Sequence, residues 1–351
     1  MRATVRATMR AAVLHETGGP LVVEDVAVPS VGPAEVLVRV RACGLGLTLV
    51  WNRDGRRDAR LPRIIGHEIA GVVVETGPGV DGFRPGDRVA VYYYLSCGEC
   101  RRCQAGRENL CERRRGQVGR DIPGGLAEFV VLPAANLVPI PDGATDVAAA
   151  ITTDAVVTAL HVVRDRARVQ PGETVLVIGG GGGVGVHVVQ AARLAGAEVI
   201  VTDRTAAKLA LATSAGARDV LAADTPDLAD RLDRLTAGRG VDVVVDMVGQ
   251  DATLELAADC LAPAAGRIVL VGSSDRAAKL PVSHETLRGE GAVLGSQYGT
   301  KRDLRDALDL VADGRIRPLV TRICSLDEAD TVLREIESLT VAGRAAVVFE
   351  S

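Results

Sequence analysis

Aromatic side chains are scarce in this chain: one Trp, four Tyr and three Phe among 351 residues. A core must therefore be built from Ala, Val, Leu and Ile, and any place where aromatics gather stands out. Long apolar runs are also missing. No stretch approaches the roughly 20 consecutive apolar residues that span a bilayer, so no membrane partner is expected. An excess of positive charge is absent too. The net charge of −4 gives no electrostatic reason to expect nucleic acid or an anionic membrane surface as partner. The first ten residues are basic, with Arg2, Arg6 and Arg10, but lack an apolar segment, which argues against a secretory signal. A transit peptide would share this composition; the simpler expectation is a frayed extension before a strand near Met9. Seven cysteines, an odd number without an export signal, speak against a disulfide framework and for a cytoplasmic protein.

What is present is an ordinary globular composition, 47 % apolar and 25 % charged, with 39 glycines bunched at turns and in one dense run. The length predicts two domains at about 150 residues each. The first third reads as short Val-rich strands, Arg10–Leu14, Leu21–Val26, Glu35–Ala42, Gly71–Glu75 and Arg88–Tyr94, broken by Gly and Pro turns. This predicts a β-barrel-like module. The pattern then changes. Ala148–Arg166 has helical periodicity without breakers, and from Thr174 short, continuously apolar strands alternate with helices to Arg267–Val271. Such alternation predicts a parallel sheet covered on both faces, a doubly wound nucleotide-binding domain from Val156 to about Leu294. Two amphipathic helices, Arg302–Ala312 and Leu326–Ser338, and a final strand Ala345–Phe349 are expected to return to the first module. The fold class is α/β.

The run Gly179–Gly185 follows a strand and opens a helix. Gly180, Gly182 and Gly185 match G-x-G-x-x-G: one glycine turns the chain, one admits the pyrophosphate and one lets helix pack on strand. Gly183 and Val184 complete the helix N-terminus that would face the phosphates. Asp203 ends the next strand, where a carboxylate accepts ribose hydroxyls and disfavours a 2′-phosphate. This points to NAD, although the neighbouring Arg204 would admit NADP. The alternative is a glycine turn with a capping Asp. Lys208, Thr158, Val248, Val271 and Gly272 are further candidates for the cofactor surface.

Cys97, Cys100, Cys103 and Cys111 form C-x2-C-x2-C-x7-C. Four thiolates at this spacing suit a closed tetrahedral zinc site without catalytic role. Iron–sulfur and four free thiols are the alternatives.

Gly66-His67-Glu68, the cysteine lobe, Asp154 ahead of Thr158, and the glycine run with Asp203 occur in one order. With these features the chain, from about Met9 onward, resembles the zinc-type alcohol dehydrogenases of the medium-chain dehydrogenase/reductase superfamily. The resemblance implies a GroES-like catalytic domain (1–155 and 298–351, with the zinc lobe at 95–113) and a Rossmann domain (156–297). It also implies an active site in the cleft between them and a homodimer or homotetramer. It places catalytic zinc ligands at His67 and Asp154, with Glu68 as an occasional ligand. The family's stretch A-C-G-V-C-H-[ST]-D-x-H reads here Ala42-Cys43-Gly44-Leu45-Gly46-Leu47-Thr48-Leu49-Val50-Trp51. Gly46 falls where the first ligand belongs, Leu49 replaces a carboxylate, and Trp51 replaces the His that ends the proton relay. Thr48 keeps the relaying hydroxyl.

Three arrangements follow. His67, Asp154 and Glu68 hold a weakened zinc; Cys43 swings in as ligand; or the catalytic metal is gone, and Thr48 and Tyr93 assist hydride transfer. His67 and Asp154 would then simply pair with each other. His15, His161, His187 and His284 match no ligand pattern and read as surface or helix positions. Leu49, Trp51, Tyr93 and Tyr298 are expected to wall a pocket for a bulky apolar or aromatic small molecule, unless the aromatics are only core. The activity implied is hydride transfer between NAD(P) and an alcohol or carbonyl. The alternatives are a zinc-independent reductase of activated C=C bonds and a non-catalytic nucleotide-binding protein.

Overall fold

The alternating Val-rich segments near the N-terminus form strands, and the continuously apolar segments after Thr174 form a second, different kind of sheet. The computed structural model describes residues 7–56, 60–272, 279 and 288–350. Arg2, Arg6 and His284 lie outside the described residues. The chain divides into two units: Met1–Asp154 with Thr300–Ser351, and Ala155–Gly299.

The first unit contains β1 (Thr8–Leu14), β2 (Leu21–Ala27), β3 (Glu35–Leu45), β4 (Arg63–Ile64), β5 (Glu68–Thr76), β6 (Arg88–Val91), β7 (Phe129–Pro133) and β8 (Leu137–Pro139). The second contains β9 (Thr174–Ile178), β10 (Glu198–Asp203), β11 (Asp219–Ala222), β12 (Val243–Asp246), β13 (Arg267–Leu270) and β14 (Ala292–Gly295). The tail returns β15 (Val320–Cys324) and β16 (Arg344–Val348) to the first unit.

In the first unit β3 is the hub. It pairs antiparallel with β5, with β7 through its first half and with β16 through its last residues. The sheet runs β15-β16-β3-β5-β6-β8, and a three-stranded sheet β2-β1-β4 stands beside it. The expected strand Glu35–Ala42 continues to Leu45, because Cys43, Gly44 and Leu45 take partners on β5 and β16. The strand β15 was absent from the sequence reading. It is short and carries polar Thr321 and Arg322 between its apolar positions, so its pairing with β16 declares it where its pattern does not.

The second unit orders its strands β11-β10-β9-β12-β13-β14, all parallel. Renumbered from β9, this is 3-2-1-4-5-6, the doubly wound order. The reason the strands read as unbroken apolar runs is visible in the packing. Val175, Val177, Val199, Val201, Val243 and Val245 join one core cluster with the helix Gly185–Leu194. Leu176, Ile178, Ile200 and Val244 join another with Leu228 and Leu232. Alternate residues thus feed opposite faces, and both faces are covered.

The helix Asp146–Ala167 has 22 residues and, by length and composition alone, is apolar enough to cross a membrane. Its most apolar stretch is 78 % buried within the protein, as in a core helix. Two stretches, Thr152–Val156 and Val162–Ala167, are wound as π-helix. Such widened turns re-aim side chains and recur at functional sites; the first contains Asp154.

Asp246 shows how a loop beside the glycine run is fixed. It is fully buried and accepts from the N–H groups of Val248 (2.8 Å) and Gly249 (3.1 Å) and from the Thr253 hydroxyl (2.7 Å). Asp246→Ala would leave these three donors without their charged acceptor. The expected loss is about 3 kcal/mol of unfolding free energy in urea titration; a loss below about 0.5 kcal/mol, the range of surface substitutions, would show that the loop holds itself.

Candidate active site and metal centre

The four lobe cysteines are brought together by tight turns, with Gly98 and Gly106 in the left-handed region at φ 80° and 67°. Their sulfurs are separated by 3.5 Å (Cys97–Cys111), 3.6 Å (Cys100–Cys103), 3.9 Å (Cys97–Cys103) and 4.0 Å (Cys100–Cys111). Four sulfurs bound to one zinc at about 2.3 Å stand about 3.8 Å apart, so the separations fit a single tetrahedral ion. The cysteines are not disulfide-bonded. Backbone N–H groups point at them: Cys97 N–H to Cys111 Sγ and Cys100 N–H to Cys97 Sγ, each 3.3 Å. Donors from the backbone of Cys103 and Glu112 pull the Cys100 thiol down to about 6, favouring the thiolate that a metal needs.

The second cluster lies at the start of β5. His67 (3 % exposed) and Glu68 (0 %) follow the left-handed Gly66, and Asp154 enters from the π-helical turn. One donor atom from each of the three lies within 4.8 Å of the others. His67 Nε2 stands 3.7 Å from Asp154 Oδ2, too long for a hydrogen bond. Nε2 of His67 and Oε2 of Glu68 are buried without a hydrogen-bond partner. Buried polar atoms without a partner are costly unless a cation or a proton satisfies them. Tyr93 completes the wall. Its ring meets the His67 ring edge-on at 4.6 Å, and its hydroxyl donates to Asp154 Oδ1 at 3.2 Å. Tyr92 and Tyr94 are fully buried core, Tyr94 packing edge-on against the Tyr93 ring at 4.8 Å, so the triplet serves both purposes that the sequence left open.

Cys43 cannot swing in. It sits inside β3, fully buried, opposite Ile69 and Val347, and its thiol donates to Gly44 O at 3.8 Å. Burial pushes that thiol far above the ordinary range. Gly46 caps the helix Leu47–Arg53, and the space where its side chain would stand is taken by the Arg344 guanidinium. Arg344 donates through Nη2 to Glu68 Oε1. Burial pushes Arg344 down to about 10, so it remains cationic at neutral pH. Thr48 and Trp51 are half-buried on the short helix, whereas Leu49 is fully buried in the core. Sequence reasoning missed Arg344; a lone arginine opening the apolar strand Arg-Ala-Ala-Val-Val was the available signal.

In the second unit the glycine run turns the chain and packs helix on strand, with one shift of role. Gly179, at φ 78°, makes the turn assigned above to Gly180. Gly180 is needed because a Cβ there would press into Val201, and Gly185 because a Cβ would overlap Gly179 O. Gly181 lies against the backbone of Lys208, and Gly272 against Met247 and Val248, contacts no side chain would permit. Gly182, Gly183 and Val184 stay half-exposed at the helix start, which has no side-chain cap. Asp203 is 6 % exposed and accepts from Gly181 N–H (2.9 Å) and Arg204 N–H (2.8 Å). Lys208 is buried beside it, and Arg204 is exposed. Val248 and Val271 are half-buried; Thr158 and Tyr298 are buried in this unit, Tyr298 at a left-handed φ of 51°. His187 on the first helix is fully buried, with Nδ1 2.8 Å from Gly183 O, and burial lowers it to about 4. His161 is buried on a helix, and His15 is exposed beside Glu24.

Comparison with known proteins gives two family matches: an alcohol dehydrogenase GroES-like domain over residues 32–142 and a zinc-binding dehydrogenase over residues 183–313. The NAD-dependent alcohol dehydrogenase of Sulfolobus acidocaldarius is 33 % identical over 345 residues, 96 % of this chain and 98 % of that one. A solved NAD-dependent alcohol dehydrogenase is 38 % identical with a TM-score of 0.91, covering 97 % of this chain and 100 % of the other. Acetophenone reductase from Geotrichum candidum, solved with NAD, is 30 % identical with a TM-score of 0.86 and 99 % coverage of both.

Two measurements test the two sites. Cys100→Ser is expected to lose one zinc per chain by elemental mass spectrometry and to lower the unfolding midpoint by roughly 5 °C or more; unchanged zinc would exclude the lobe as its holder. Asp203→Ala removes a charged acceptor and should weaken NADH binding on the order of 10-fold or more while sparing NADPH. Equal weakening of both dinucleotides, read by fluorescence titration, would reduce Asp203 to a loop-holding role.

Proposed function

The chain belongs to the zinc-binding dehydrogenase family with an alcohol dehydrogenase GroES-like domain, and from that premise we propose how its residues share the work. It is an NAD(P)-dependent oxidoreductase of alcohol dehydrogenase type acting on a small molecule. The bound nicotinamide gives or takes the hydride. The glycine loop and the helix Gly185–Leu194 hold its phosphates, and Asp203 holds the adenosine ribose.

The observation that carries the catalytic reading is that His67, Glu68 and Asp154 each bring one ligand atom within 4.8 Å of the others, while His67 Nε2 and Glu68 Oε2 are buried without a hydrogen-bond partner. One imidazole and two carboxylates are an adequate donor set for a divalent cation. Gly46 stands in for the family's first ligand, so these three residues would hold the ion. Such an ion supplies Lewis-acid polarisation of an alcohol or carbonyl oxygen. Tyr93 fixes Asp154 by taking Oδ1, which leaves Oδ2 toward His67. Thr48 passes the proton of the substrate hydroxyl. Trp51 and Tyr93 favour a bulky or aromatic substrate, and the likeness to an acetophenone reductase supports that choice.

Two further parts of the reading concern setting. Seven free thiols suit a reducing cytoplasm. The edge strand β14 closes the sheet of the second unit with its outer side unpaired among the described residues, and supports assembly into a homodimer or homotetramer.

The activity test is NADH oxidation with aryl ketones, set beside enones and enoyl thioesters. Turnover of the ketones is expected; reduction of activated C=C bonds alone would overturn the assignment. Thr48→Val should lower kcat about 100-fold, the low end of general acid–base contributions, with little change in NADH affinity. Full activity in that variant would remove Thr48 from the mechanism.

A further inference from the structure

The helix Gly185–Leu194 opens with a break in its backbone ladder. In a regular α-helix the Gly183 carbonyl would accept the His187 N–H four residues on. Here that N–H turns to Val184 O at 2.9 Å, which also takes the Val188 N–H at 3.1 Å, while the Val186 N–H goes back to Gly182 O at 3.1 Å. Among the described residues every backbone N–H passes the Gly183 carbonyl over. It is not left unpaired. The imidazole of His187 itself supplies the missing donor, with Nδ1 2.8 Å from Gly183 O. A carbonyl only accepts, so Nδ1 carries the proton. One residue thus serves two carbonyls of the first turn, one by its backbone and one by its side chain.

Histidine is an expensive choice at this position. His187 has no exposed surface, and its neighbours Val186, Val188 and Val189 are as fully buried. An imidazole placed where an aliphatic side chain would pack costs free energy unless its polar atoms are used. Burial lowers it to about 4, so it is neutral and brings no charge to the loop. What it brings is direction. The peptide between Gly183 and Val184 is planar and trans, so its C=O and N–H point opposite ways. Tying the carbonyl inward to His187 aims the Val184 N–H outward from the helix start, where Gly182, Gly183 and Val184 are half-exposed. The other end of the loop is held separately, Gly179 and Gly180 N–H by Thr202 O and Gly181 N–H by Asp203.

We propose that His187 is a positioning residue for the dinucleotide: through the Gly183 carbonyl it fixes the N–H groups of the glycine loop that receive the pyrophosphate. This rests on the reading above in which that loop holds the cofactor's phosphates. With no exposed surface, the imidazole itself does not reach the cofactor.

The test is competition of ADP and of adenosine against NADH, followed by NADH fluorescence on the purified full chain, which separates phosphate from nucleoside recognition. In wild type ADP should bind more tightly than adenosine. His187→Leu, similar in size and without a donor, should weaken ADP and NADH about 10-fold and leave adenosine within about 2-fold. His187→Asn, whose amide nitrogen stands where Nδ1 stands, should restore ADP to wild-type affinity. Unchanged ADP affinity in His187→Leu, or loss of ADP and adenosine in equal measure, would overturn the role of His187. Should the Leu variant fail to fold, His187→Gln replaces it. Its amide stands one bond further out, misses the Gly183 carbonyl, and should bind ADP about 10-fold more weakly than the Asn variant; equal affinity of the two would overturn the proposal. ADP no tighter than adenosine in wild type would instead overturn the phosphate reading, and the proposal with it.

Discussion

Taking a charge out of water is the most expensive act in this fold, and the first unit does it twice in one place. Glu68 has no exposed surface and Arg344 only 5 %. Neither could be buried alone, and removing one partner of such a pair typically costs about 3–5 kcal/mol. Their union sets the local architecture. It draws β16 against the end of β3, and it demands glycine at positions 44 and 46. The strand β3 runs past Ala42 because this pair waits at its end.

The second unit solves a different problem by omission. A dinucleotide phosphate must approach backbone, and backbone must approach backbone to build the loop. Gly180, Gly181, Gly185 and Gly272 each mark a point where a single Cβ would collide with neighbouring chain. Only part of this is about the ligand. Gly181 and Gly272 serve packing, against Lys208 and the Met247–Val248 backbone, and Asp246 then secures that loop with three hydrogen bonds. The carboxylate of Asp203 does double duty in the same way. It is tied to Gly181 and Arg204 by their N–H groups, so its charge is presented at a fixed place.

How much could be read beforehand follows from this contrast. The parallel sheet was legible because both faces are buried, and each strand therefore carries an unbroken apolar signature. The cysteine lobe was legible because its four thiols are local in sequence, with at most seven residues between neighbours. The glycine motif was legible in position but not in role, since φ at Gly179 is a property of the folded turn. Arg344 was not legible, because its partner lies 276 residues away in sequence and nothing local to either residue announces the other. The π-helical turn at Thr152–Val156 was likewise hidden, for helical periodicity alone does not distinguish one widened turn. Tyr92-Tyr93-Tyr94 shows the limit from another side. Composition singled out the triplet, but only the contacts of the folded chain place the middle ring against His67 and Asp154 and the outer two in the core.

The stretch around Gly46 is shaped by what packs against it. A buried carboxylate beside two residues without side chains would leave a cavity and an unbalanced charge, both of which destabilise. Here the cavity is filled by Arg344 and the charge of Glu68 is half-claimed by it. Leu49, on the helix Leu47–Arg53, is fully buried. A buried anion needs a cation from the protein itself, and Arg344 supplies it across 276 residues of sequence.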